Sequence, residues 1–144
     1  MSQSATITNI ANRLVTLLQK IDGGADYYNA VNHNNIKIGF QMYDQAGAYP
    51  SIYLSSFSTP RSVAGDQVTF NTELEVEIFG YISNEAAPLE KVIQLGSDME
   101  KAIYTDPELD DNVWDLSLSM SMTSFQSYGI VRLTITAQMT YTIY

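Results

Sequence analysis

The chain has 144 residues, 16 Asp+Glu against 7 Lys+Arg, a formal net charge of −9, one histidine and no cysteine. That length suffices for one buried core without staples, and the missing cysteines exclude a disulfide framework and any thiolate metal site. The charge is lopsided: residues 1–72 hold four acids and four bases, residues 73–144 twelve and three. The acidic half would repel a phosphate backbone, so gripping of nucleic acid is not expected.

Charged residues make up only 16% of the chain, against about 25% in ordinary globular domains. Ser, Thr, Asn, Gln and ten tyrosines take their place on the surface. These groups desolvate more cheaply than ions, and tyrosine is enriched at interfaces, so the composition is that of a subunit. The start, Met-Ser-Gln-Ser-Ala-Thr, has no basic or apolar leader region, and no apolar run approaches the ~20 residues that span a bilayer. A soluble protein without a standard secretion signal is expected.

In chain order, Ile7, Ile10, Ala11, Leu14, Leu17, Leu18 and Ile21 recur at helical spacing and predict a helix over roughly residues 5–22, stopped by Gly23-Gly24. Residues 26–35 read as a connection. Ile36, Ile38, Phe40 and Met42 alternate with polar neighbours, and turn residues 45–50 lead to a short strand near 51–55, together predicting a first hairpin. Residues 56–67, with Pro60, Gly65 and the single cation Arg61, read as a mobile loop suited to partner contact.

Phe70 to Ile82 alternate regularly. Phe70, Thr72, Leu74, Val76, Ile78, Gly80 and Ile82 take one face; Asn71, Glu73, Glu75, Glu77, Phe79 and Tyr81 take the other. Asn84 is a candidate cap and Pro88 suits the first turn of a second helix, whose apolar stripe is Leu89, Val92, Ile93, Gly96, Met99 and Ile103 and whose end is set by Asp106-Pro107. Trp114 to Thr123 and Val131 to Ile143 then predict a long hairpin, the second strand reaching about 45 Å. The order α-β-β-β-α-β-β implies one α+β domain over 1–144, a mainly antiparallel sheet with both helices packed on one face.

Candidate sites are few. Glu73, Glu75 and Glu77 repeat at about 6.6 Å along one sheet face. Such a row serves either as a solvated outer face or as the lining of a channel that DNA must not stick to; a divalent-metal site is the weakest reading, because adjacent carboxylates alone do not make six oxygen ligands. Asp106, Glu108, Asp110, Asp111 and Asp115 lack the glycine and terminal glutamate of a calcium-binding loop and read as an acidic turn. His33 has no cysteine or serine elbow to act with, and no phosphate loop or basic aromatic strip occurs, so neither catalysis nor a cofactor or metal is expected. Trp114 reads as core in the first instance, with Trp114, Tyr141 and Tyr144 also open to a reading as interface anchors.

The stretch ELEVEIFGYIS (73–83), the helix running into DMEKAIYTDPELDDNVW (98–114) and the strand pair that follows are similar to tail terminator proteins of long-tailed bacteriophages, and tail-completion and neck proteins look related. Ala102, Ile103, Tyr104, Asp106 and Leu109 occupy the places of an "Ala-Leu-Tyr-x-Asp-x-x-Leu" stretch common in that family. The chain departs at Asp110-Asp111, where small or glycine residues are often found. The resemblance covers about residues 68–144. It implies a non-enzymatic structural protein of the virion: a homohexameric ring, assembled in the host cytoplasm at the head-proximal end of the tail. The ring would cap the tail tube, fix its length, and offer a docking face to the neck or connector protein. DNA would pass through it without specific binding, no membrane would be involved, and Glu73, Glu75 and Glu77 would face the lumen. A neck or tail-tube subunit, and a small α+β enzyme or ligand-binding domain, are the alternatives.

Overall fold

The computed structural model describes residues 1–64 and 69–142, with side chains described throughout these except at 61–64. The elements are α1 (Gln3–Leu18), a 3-10 turn (His33–Asn35), β1 (Ile36–Ile38), α2 (Tyr43–Ala46), β2 (Ser51–Ala64), β3 (Thr69–Ser83), α3 (Pro88–Tyr104), β4 (Asp115–Ser124) and β5 (Tyr128–Thr142). The fold is α+β, and its five strands form one sheet in the order β1-β2-β3-β5-β4, antiparallel at every junction except β1 with β2.

The helix α1 starts at the Ser2 cap, whose hydroxyl accepts the Ala5 N–H at 3.2 Å. It stops earlier than Gly23-Gly24 suggests, but tight turns carry the chain on, with Lys20 and Ile21 donating to Leu17 and Leu18, so Ile21 still reaches the core fully buried. The helix α3 has Pro88 in its first turn, as expected. Its cap position is Ala87, not Asn84; the Asn84 carboxamide instead accepts the Ala87 N–H at 2.7 Å and closes the turn before the helix.

Both long helices pack on one sheet face. Leu74, Val76 and Ile78 of β3 and Val131, Leu133 and Ile135 of β5 meet Leu14 and Leu17 of α1 and Val92, Leu95 and Met99 of α3 in one continuous buried cluster. From Thr72 to Phe79 the even positions of β3 are buried and the odd positions half-buried, so the predicted two-sidedness of that strand holds there. The α3 stripe is narrower than expected: Leu89 and Ile93 are exposed, because the helix turns Val92, Leu95, Gly96 and Met99 onto the sheet and leaves those two beside its outer edge. Trp114 is 64% exposed and not core, since β4 lies at the sheet edge where no second layer covers its first residues.

Three readings of the N-terminal half are corrected. First, β1 and β2 are not a hairpin: they run parallel, Ile36 opposite Ile52, and the twelve residues 39–50 form the crossover that parallel pairing requires. Second, the alternation of Phe40 and Met42 does not continue β1. Gly39 takes φ +119, a conformation that releases the chain from the strand, and a one-turn helix, α2, follows. Third, residues 56–64 are not a loop but the second half of β2, with the pairing slipping between Leu54 and Ser56 and again between Ser58 and Arg61. Pro60 sits in that second irregularity, where a missing N–H costs the ladder little. The rest of the predicted loop, 65–67, and Tyr144 lie outside the described residues.

Candidate functional site

The surface left open is the sheet face opposite the helices. Its centre is the glutamate row: Glu73 stands in register with Gln138, Glu75 with Thr136 and Glu77 with Thr134 on β5, and beyond them Asp115, Ser117 and Ser119 on β4. All three glutamates are half-buried among these short polar neighbours. Glu77 is ion-paired: Arg132 of β5 places Nη2 at 2.7 Å and Nε at 3.1 Å from its Oε2. The structure thus brings the acidic row together on one face as expected, and adds a cation that the sequence reading did not assign to it. Exposed as Arg132 is, the pair positions the side chains more than it stabilises the fold.

At one end of this face the crossover 39–50 is strapped down by aromatic rings. Tyr43 stacks on Tyr128 at 3.8 Å between centroids and on Tyr49 at 4.5 Å, and Tyr128 stacks on Phe125 at 4.5 Å, giving a ladder of four rings. The Tyr81 hydroxyl donates to the Gln41 carbonyl and the Tyr49 hydroxyl to the Tyr43 carbonyl. Burial, and then the neighbouring Tyr53 and Tyr49, raise the Tyr81 phenol above its ordinary pKa. Outside this clamp Phe40 and Met42 remain more than half exposed.

The sheet ends in two unlike edges. On one side β1 covers only residues 52–54 of β2, and Pro60 with the two slips in pairing blunts the remainder. Pro60 is exposed there, and Arg61 stands opposite Glu73. On the other side β4, with neither proline nor lysine, is a ten-residue edge that no strand covers among the described residues. The Phe125 N–H donates to the Tyr128 carbonyl at 2.7 Å to close the β4–β5 turn. Antiparallel alternation from that bond aims the main-chain groups of Leu116, Leu118, Met120 and Met122 away from the sheet.

The acidic turn before β4 is the most constrained backbone among the described residues. Leu109, Asp110 and Asp111 take φ 49, 59 and 61 in succession, a left-handed run that costs non-glycine residues about 1–2 kcal/mol each. The turn is held by Asp106, whose Oδ2 accepts Arg13 Nε and the Asp110 N–H, both at 2.8 Å, and by the full burial of Leu109. Burial acts to raise the Asp106 pKa, but the hydrogen bonds from Arg13 and from the Asp110 and Glu108 amides outweigh it and hold the carboxyl below the usual range. Glu108 is raised, chiefly by its hydrogen bond and charge contact with Asp111.

Replacing Asp111 by glycine is therefore expected to stabilise the protein at pH 7, by about 1 kcal/mol from the backbone, with relief of the Glu108 contact added. The electrostatic part is present above the folded pKa of Glu108 and disappears as the pH falls below its unfolded value, because a protonated Glu108 no longer repels Asp111. Urea melts at pH 7 and at pH 3.5 check both parts, and a variant less stable than the parent at pH 7 contradicts the account.

His33 is exposed in the 3-10 turn, its Nε2 3.2 Å from the Gln19 carbonyl. Tyr141 is half-buried and stacks on Phe70 at 5.4 Å. Among the described residues no group of three His, Asp or Glu side chains is placed to hold a metal ion, and no helix is long and apolar enough to cross a membrane. Compared with family models and with curated proteins, the chain matches none of them.

Proposed function

We propose that this chain is a structural, ring-forming subunit of a long-tailed bacteriophage, a tail terminator that closes the tail tube, sets its length and presents a face to the neck or connector protein. The observation that carries the reading is the incomplete covering of the sheet: two helices protect one face, while the other face and the bare β4 edge are left to be covered by something else. A contact made between unlike surfaces of identical subunits closes into a ring when its rotation permits, so one such contact is enough for a cap. Within the segment that resembles the family, Asp106 and Leu109 fix the turn between α3 and β4. Placed towards the lumen, the half-buried glutamate row would keep DNA sliding instead of adhering.

Electron microscopy of the purified protein tests the reading: a terminator stops at one ring, whereas a tail-tube subunit, the nearest alternative, grows into long cylinders. The lumen assignment has its own test. Glu75→Lys combined with Glu73→Gln and Glu77→Gln, chosen to avoid setting a lysine against Arg61 or Arg132, should leave rings intact. Infectivity should fall by about tenfold or more through retention of DNA phosphate. Rings with unchanged infectivity would remove the glutamates from the channel.

A further inference from the structure

We infer that the bare edge of β4 is completed by the β1–β2 edge of a second copy, so that the sheet runs on from one subunit into the next. This rests on the ring reading and specifies its contact. Three features of the two edges match. Direction is the first: β2 and β5 run opposite to β3 and β4, and β1 runs with β2. With the helices kept on the same side, β4 therefore meets β1 and β2 of the next copy antiparallel, the pairing with the better hydrogen-bond geometry.

Charge is the second feature. β1 and β2 carry Lys37 and Arg61 and no carboxylate; β4 carries Asp115 and no cation. Joining β4 to β4 would bring together edges that share one sign, whereas joining β4 to β1–β2 brings opposite signs together.

The third feature is the character of each side. Lys37 lies on the opposite side of β1 from the buried Ile36, and Asp115 lies on the opposite side of β4 from Met120 and Met122, which pack towards Gly96 of α3. Both charges thus belong to the open face of the sheet. On the helix side, Ile38 is 54% exposed at one edge, and Met122 and Ile93 are exposed at 38% and 47% at the other. Continuing the sheet without a change of level sets Ile38 of the next copy beside Met120 and Met122 on the helix side, and brings the position of Arg61 level with Asp115 and that of Lys37 level with Ser121.

The natural absence of cysteine allows a direct test. Ser117→Cys, Ser119→Cys and Ser121→Cys on β4 are paired in turn with Ser56→Cys or Ser58→Cys on β2, and the purified proteins are oxidised. At least one β4–β2 pairing should give a ladder on a non-reducing gel that ends at the size of the ring, while the β4 variants alone stay uncross-linked. Cross-linking of a β4 variant with itself, or rings visible by microscopy with no β4–β2 product, would remove the contact and leave the ring reading standing. A parent protein that stays monomeric removes both. As a second measure, Met122→Pro deletes an outward N–H that the monomer does not use. It should retain its circular dichroism yet require at least tenfold more protein to assemble, and assembly at the parent's concentration contradicts the proposal.

Discussion

Gly129→Ala should lower stability by about 3 kcal/mol, far more than the same change at either of the other two glycines between the sheet and α3. A Cβ at 129 would lie 2.5 Å from Val92 Cβ and 2.8 Å from its Cγ2. Val92 is fully buried and branched at Cβ, so no rotamer clears the clash and the whole helix must lift from β5. At Gly80 the closest atom is Met99 Sδ at 2.8 Å, and at Gly96 it is Met120 Sδ at 2.8 Å, both on flexible thioether side chains that can swing aside. Gly80→Ala should cost roughly 1 kcal/mol. Gly96→Ala should be close to neutral, since replacing a mid-helix glycine returns about 1 kcal/mol of propensity. Urea denaturation of the three variants gives the ranking. The double variant Gly129→Ala/Val92→Ala should recover most of the loss, and additivity in that pair would show that the contact is not the cause.

The C-terminal half was readable because its information is local. Alternation in β3, the proline at 88, the Asp-Pro at the end of α3 and the long β4–β5 pair each declare themselves within ten or fifteen residues. The glutamate row followed from that alternation alone, though its partner Arg132 is 55 residues distant and has no local signature.

The N-terminal half was misread wherever the deciding contact is distant. Ile36, Ile38, Phe40 and Met42 look like one strand; the strand ends at Ile38 because residue 43, with residue 49 stacked on it, stacks against residue 128 across the sheet. Pro60 looked like a loop marker, and on a central strand it would have been one. An edge strand with slipped pairing tolerates it, and edge position is not visible in a single sequence. The bare β4 edge, the most functional-looking feature, had a partial signal in the Ser and Thr content of the hairpin and the lack of lysine, but which strand would be outermost depended on the sheet order.

Asp98 is the other residue that sequence reasoning passed over, and its loss is the second large effect expected. It occupies a position on the buried stripe of α3, between Leu95 and Ala102, and is 1% exposed. Its carboxylate reaches the loop that joins α1 to β1: Oδ1 accepts the Tyr28 N–H, and Oδ2 accepts both the Asn29 N–H and Asn29 Nδ2, each at 2.9 Å. Three charge-assisted bonds from one buried group tie residues 28–29 to the helix. Asp98→Ala should cost about 3 kcal/mol, because it leaves main-chain donors of the loop without their acceptor. Asp98→Asn is the sharper test. An amide has the same shape but presents N–H where Tyr28 or Asn29 also presents N–H, so it should cost about 2 kcal/mol despite being nearly isosteric. Chemical denaturation measures both changes, and amide hydrogen exchange at Tyr28 and Asn29 should accelerate in both variants while the centres of β3 and β5 change only with global stability. An asparagine variant as stable as the parent would mean that the carboxylate is not the acceptor holding the loop.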